Sequence, residues 1–475
     1  MALRVSEFDL RRADVKLRMP FRYGIATMTE GPVVFLRLTV EVGGKRVSGV
    51  SSDLLPPKWF TKVPAKPIHD EIAEMVQVIR RAAETVVGME GATPFGLWME
   101  LYEAQEQWAA HEEVPPLLSN FGVSLVERAI LDGYCRAAGC SFGRLLRTSQ
   151  LGIDLGRIHR ELRGLPAAGL LPGNSLDRVT VRHTVGLSDP ITEEEIQPDD
   201  RLEDGLPQSL EASTQAYGLR HFKIKVSGHA AADLERMERI AATLGRLGGG
   251  PGSYAFSLDG NEQFTTVEEF RSFWETLVAR HSLKKFLAHL LFVEQPLARN
   301  VALHTNVGRA FREWPERPPI VIDESDARLG DCARALELGY SGTSHKNCKG
   351  IFKGVANRCL LAVRQRDQPE RPWLMSGEDL CNIGPVALQQ DLALMGALGI
   401  TSVERNGHHY HAGLSQFPSC VQQQVLQAHG DLYHAAPAGW PTLRIKRGTV
   451  SLETVNRAPL GVGFELETRG FQTVH

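Results

Sequence analysis

The chain has 475 residues, 43% hydrophobic and 23% charged, with a net charge of −3. That length holds one large α/β barrel with an accessory domain or three smaller domains, and the near-neutral charge excludes a nucleic-acid or membrane electrostatic footprint. Seven scattered cysteines with no C-x-x-C pair exclude a disulfide scaffold and a cysteine-based zinc site.

The opening MALRVSEFDLRRADVKL carries charge throughout, without the apolar core of a signal peptide, so the cytoplasm is the expected compartment. Residues 1 to about 60 read as β-rich, with a hairpin turn at Gly43-Gly44. Residues 68–110 read as helical, and a second helical pattern runs from Leu118 to Leu146, broken at Gly139. Residues 146–177 show no period and read as a connection or insertion. Beyond Asp177 strand and helix alternate. Strands are expected over Val179–Val185, His221–Val226, Tyr254–Asp259, Leu291–Glu294, Ile320–Glu324, Gly342–Lys346, Pro372–Gly377 and Ile400–Glu404. Eight strands alternating with helices predict a (β/α)-barrel over 178–435, with its active site at the carboxyl ends of the strands. Residues 1–145 then form an α+β capping domain, to which the β-like segment 436–475 returns.

Polar residues close the apolar strands. Lys223 and Lys225 are two apart, so both leave one face of a strand, and their mutual repulsion is expected to lower the pKa of at least one. Such a lysine accepts a proton near neutral pH. Asp259, Glu294 and Asp323 end the next three strands. Three carboxylates converging on one barrel mouth repel unless a cation neutralises them, and oxygen ligands of this kind suit Mg2+, with Mn2+ as the alternative. Any one of these acids alone reads as a surface or capping residue; three on consecutive strand ends do not. Glu324 neighbours Asp323 and points to the opposite face. Lys346 ends the sixth strand, across the barrel from Lys225. His345, Lys349, Asn261, Glu378, Asp379 and Glu404 are candidates for the surrounding polar layer, as are Tyr23 and Asp53 from the cap, with Lys58 and Trp59 beside them. The cluster His408, His409 and His411 lacks helical i, i+4 spacing and reads as pocket polarity or surface, not zinc.

As a set, K-x-K, D-x-N, V-E-Q-P, D-E-S and Lys346-x-x-Lys349-Gly350 resemble the enolase superfamily, in the branch of mandelate racemase and muconate-lactonizing enzymes. The helix Ser124–Gly139 and the closing Gly461-Val462-Gly463 share that resemblance. A lysine on strand six and the missing Asp-His pair bring the chain nearer to the muconate-lactonizing branch. The resemblance implies a modified (β/α)7β barrel, a homo-oligomer, and Asp259, Glu294 and Asp323 as metal ligands. It implies Lys225 and Lys346 as acid and base on opposite faces of the substrate, with Glu324 behind Asp323. The implied reaction removes the proton α to a small-molecule carboxylate, giving racemisation, epimerisation, β-elimination or cycloisomerisation. Two other classes stay open on the residues alone: a metal-free hydrolase using Glu294 and Glu378, and a non-catalytic carboxylate binder.

Overall fold

A computed structural model describes residues 2–248 and 253–474. It opens with an antiparallel meander of β1 (Leu3–Tyr23), β2 (Ala26–Val42) and β3 (Lys45–Leu54). Gly43 and Gly44, with φ of 55° and 82°, make the second turn, where a tight hairpin needs positive φ at both central residues. Three helices follow: α1 (Ile68–Val86), α2 (Pro94–His111) and α3 (Pro116–Ala138). The stretch 68–110, expected as helical throughout, is therefore two helices. Gly88 turns the chain at positive φ, Glu90-Gly91 pairs with β1, and Thr93 caps α2 by accepting from Gly96 N ahead of Pro94.

The centre of the cap is α3, buried on almost every face. It comes close to its neighbours at two glycines. A Cβ on Gly122 would run into the Val78 carbonyl of α1, and one on Gly49 of β3 would run into the Ala129 carbonyl of α3. As expected, α3 stops at Gly139, which adopts the left-handed conformation.

All eight expected barrel strands form, within a few residues of the bounds read from the sequence: Arg178–Val185, His221–Lys225, Ala255–Asp259, Leu290–Glu294, Ile320–Ile322, Gly342–His345, Leu374–Gly377 and Ser402–Arg405. They are parallel, and the eighth pairs with the first, closing the barrel. The connection ahead of them holds only short turns of 3-10 helix. Among the described residues no helix is long and apolar enough to cross a membrane.

The closing segment differs in part from expectation. Thr449–Ser451 stays on the barrel, antiparallel to the first strand, and only Gln472–Thr473 pairs with β1 of the cap. Between them Gly461 passes close against the Gln389 carbonyl, and Arg136 of α3 donates to the carbonyls of Val462 and Phe464.

Buried charge joins cap to barrel. Glu127 of α3 accepts from Ile351 N and Phe352 N, at 2.8 and 2.7 Å, satisfying the open N-terminus of the barrel helix Ile351–Asp367. Arg128 pairs with Asp53, whose other oxygen accepts from Asn382 Nδ2 at 2.7 Å. Asn382 Oδ1 in turn accepts from Leu54 N. Asp53, expected at the pocket, is thus a joint between domains.

Candidate active site

Strand register builds the site. Lys225 lies beside Asp259 and Asp259 beside Glu294, so three neighbouring strands present their last polar residues in one row. Side chains alternate along a strand, so Lys223 occupies the row beneath, inside the barrel. It reaches Asp259, Glu294 and Glu378 at 2.9 Å and Glu404 at 3.0 Å. Lys225 has one such partner, Asp259 Oδ2 at 2.6 Å. From the opposite side Lys346 reaches Asp323 at 2.5 Å and Glu378 at 2.8 Å. Lys349 sits 2.7 Å from the other Asp323 oxygen and donates to Ser344 Oγ.

One expectation changes here. The repulsion between Lys223 and Lys225 does not govern Lys223. Burial pulls its pKa down, but Asp259, Glu294, Glu378 and Glu404 more than offset that and hold it well above the usual lysine value. Lys346 is likewise held up, by Asp323 and Glu378 against burial. The carboxylate cluster keeps part of its expected repulsion despite these cations: burial, then Asp259 and Glu378, hold the Glu294 carboxyl well above the usual carboxylate range against Lys223 and Lys346.

The residues fit a divalent cation. Glu294 Oε2 is buried and accepts no hydrogen bond. Oxygens of Glu294, Asp323 and Glu378 lie within 4.8 Å of one another. Glu378 joins this group where the sequence reading had Asp259. Both oxygens of Glu378 are already engaged, Oε1 by Ser376 and Arg182, Oε2 by Lys223 and Lys346. Those lysines pull its pKa well below the usual carboxylate range despite burial, and with both oxygens occupied it offers no free nucleophile to a Glu294–Glu378 hydrolase. Asp259 and Asp323, unlike Glu378, also face the cavity.

That cavity is about 40 Å³. Lys223, Lys225, Asp259, Asp323 and Lys346 form its floor, and Phe21, Tyr23, Met28, Pro56 and Trp59 of the cap form its roof. Lys346 Nζ lies 5.2 Å from the Trp59 ring centre, and Tyr23 OH donates to the Pro57 carbonyl, fixing its ring in the roof. Lys58 turns away to Glu71 and the carbonyls of Val63 and Lys66. Asn261, at a φ of 39°, lines the cavity and donates to Glu324 Oε1 at 3.3 Å. Burial, then Asp323 and Glu262, push Glu324 up to about 7. Asp379 lines the cavity beside Leu380 and is paired with Arg405; Glu404 accepts from Thr184 as well as Lys223.

The histidines lie elsewhere. His345 faces outward from its strand against Gly354 of the following helix, and burial lowers it to about 4. His408, His409 and His411 are buried, not on the surface; His408 Nε2 is 3.1 Å from His183 Nδ1, and none of them lines the cavity. Their ligand atoms do not converge with a third as a metal seat would require. Residues the sequence reading passed over are Arg182 and Thr184 of the first strand and Ser344 of the sixth. The signal was present in Thr180, Arg182 and Thr184, a polar face of period two inside a strand otherwise rich in valine.

No protein-family model matches the sequence, and no curated protein does. Solved structures match along the whole chain. A mandelate racemase/muconate lactonizing protein from Herpetosiphon aurantiacus superposes with a TM-score of 0.61 at 14% identity, covering 98% of this chain and 99% of its own. A 2-chloromuconate cycloisomerase from Rhodococcus opacus 1CP gives 0.61 at 15%, covering 99% and 100%. An enolase from Bradyrhizobium, complexed with magnesium and mandelic acid, gives 0.58 at 15%, covering 100% and 99%. At such identities the likeness is one of architecture: a closed eight-stranded barrel under an antiparallel cap is the fold this chain shares with those solved structures.

Proposed function

We propose that the chain is an enolase-superfamily enzyme that removes the proton α to a carboxylate with the help of a divalent cation. The observation that carries this reading is the entry of Lys225 and Lys346 into one cavity from strands two and six, with Asp259 and Asp323 between them. Two amines facing one carbon from opposite sides suit a proton taken on one face and returned on the other.

Asp259, Glu294 and Asp323 would hold the cation, Glu294 through its unpartnered oxygen; the magnesium in the Bradyrhizobium enolase supports Mg2+ as that ion. A bound divalent cation supplies positive charge to the substrate carboxylate as the α-carbon loses its proton. Lys225, held by one acid partner against four for Lys223, acts as the base. Lys346 stays an ammonium and supplies the proton on the other face. Lys223 remains in its carboxylate cage and contributes charge, not proton transfer. The roof residues exclude water from the carbanionic centre. Racemisation, epimerisation, elimination and cycloisomerisation share this first step.

The test is Mg2+-dependent exchange of substrate α-hydrogen in deuterated water across a library of carboxylates. Exchange that needs the cation and disappears in both Lys225→Ala and Lys346→Ala supports the reading. Exchange that survives both substitutions overturns the two-lysine mechanism, and binding without exchange for every carboxylate makes the chain a binder.

A further inference from the structure

Beside the inner cavity lies a second, far larger space. It is a cleft of about 860 Å³ between the cap loop around Phe60 and Val63, the start of α3 at Leu117 and Leu118, and the barrel wall at Leu303 and Glu324. The two spaces share their partition. Trp59 faces the inner cavity and Phe60 the cleft; Asp323 faces the inner cavity and Glu324 the cleft. An inner space of about 40 Å³ takes a few water molecules or the reacting end of a substrate, not its whole body. The remainder of a substrate needs room, and the cleft is the adjoining room.

Glu324 is the feature in that cleft that asks for a ligand. Its neighbours each have a cation: Asp259 has Lys223 and Lys225, Asp323 has Lys346 and Lys349, and Glu262 has Arg299 at 2.7 Å and Lys62 at 3.5 Å. Among the described residues, no lysine, arginine or histidine nitrogen lies within 4.0 Å of Glu324. Its Oε1 accepts from Asn261, and its Oε2, in a side chain only 3% exposed, has no partner. A buried carboxylate oxygen without donor or counter-ion is costly, and a cationic donor arriving with the substrate removes that cost.

We propose that Glu324 is a specificity residue that pairs with an ammonium group on the distal end of the substrate, lodged in the cleft while the substrate carboxylate occupies the inner cavity. The substrate class is therefore an amino-carboxylic acid with the ammonium several bonds from the carboxylate. The apolar stretch Phe60, Val63, Leu117 and Leu118 covers the methylenes between the two charges. This rests on the placement of a carboxylate in the inner cavity given above.

The test uses matched six-carbon probes in the presence of Mg2+: hexanoate, 6-aminohexanoate and adipate, titrated calorimetrically into the full chain. The wild type is expected to bind 6-aminohexanoate at least tenfold more tightly than hexanoate. Glu324→Gln should bring that ratio close to one with an unchanged melting temperature, and Glu324→Lys should shift preference to adipate. Should the lysine variant fail to fold, the glutamine variant decides. Equal affinities in the wild type, no measurable binding of any probe, or an ammonium preference that survives Glu324→Gln overturns the subsite. An intact charge preference in an enzyme without lysine-dependent exchange leaves the subsite standing and overturns only the proton-abstraction reading.

Discussion

Two networks of fully buried charge lie within one molecule and do different work. At the junction of cap and barrel, Arg128 pairs with Asp53 and donates to the carbonyls of Ser124 and Ser52, while Asn382 links Asp53 to Asp391. Arg128 and Asp53 are held by partners from the chain itself, while Asp391 Oδ1 is left without one. At the barrel mouth the same residue types surround a cavity, Glu294 Oε2 and Glu324 Oε2 lack partners, and Lys346 and Glu378 bridge several neighbours at once. Burial and charge alone therefore do not mark an active site. What distinguishes the mouth is the cavity beside its charges.

Substitutions should separate the two. Lys346→Met is expected to reduce exchange by about 10³-fold or more, within the range for a lost general acid or base. Its effect on stability should be smaller, because Asp323 keeps Lys349 and Glu378 keeps Lys223 and Arg182. Arg128→Met should show the reverse. Removing one partner of a buried pair costs about 3–5 kcal/mol, read by urea denaturation, while kcat of the remaining folded enzyme stays near that of the wild type. If Arg128→Met abolished exchange in fully folded protein, the junction would belong to the catalytic machinery and the contrast would fail.

A smaller effect concerns the scaffold under the junction. Gly122→Ala places a methyl against the Val78 carbonyl where α1 and α3 cross, and forcing them apart should cost about 1–3 kcal/mol. Because α3 carries Glu127 and Arg128, the displacement should also raise KM more than it lowers kcat, through the roof of the cavity. Unchanged KM and kcat in the folded variant would show that the cap does not transmit the shift.

How much of this was legible in the sequence follows from where each residue sits. Lys223, Lys225, Asp259, Glu294 and Asp323 each close a short apolar strand, so strand order and alternation alone brought them to one barrel mouth. Lys346 opposite Lys225 followed from counting strands. Cross-chain pairing was not legible. Asp53 looked like a pocket residue because it shares a cap segment with Lys58 and Trp59, and nothing local shows that Arg128, 75 positions on, claims it. Glu378 was read as peripheral, because its four partners come from strands one, two, six and seven. His345 sits beside Lys346, and only the alternation of the strand, enforced by Gly354 behind it, turns its ring away from the site.

The mildest prediction tests a third kind of buried polar group, one that stays neutral. His429 closes the helix Ser419–Ala428, with Nδ1 2.9 Å from Thr454 Oγ1 and Nε2 accepting from Gly463 N at 3.2 Å. A protonated ring has no acceptor to offer Gly463 and would point one N–H at another. Burial lowers His429 to about 4, as it lowers His345 and His411 to about 4 and His183 to about 3. In the unfolded chain each histidine titrates near 6.5. The folded state therefore binds fewer protons than the unfolded state between pH 6.5 and about 4. Their contribution to stability is fully present above pH 6.5 and is lost as pH falls through that window, at about 1.4 kcal/mol per pH unit for each group. His429→Gln keeps a neutral acceptor facing Gly463 and takes up no proton. Its stability at pH 7 should lie close to that of the wild type, and the slope of unfolding free energy between pH 6 and pH 5 should be shallower by about one proton. An unchanged slope would mean that the ring is already charged in the fold and that Gly463 finds its acceptor elsewhere.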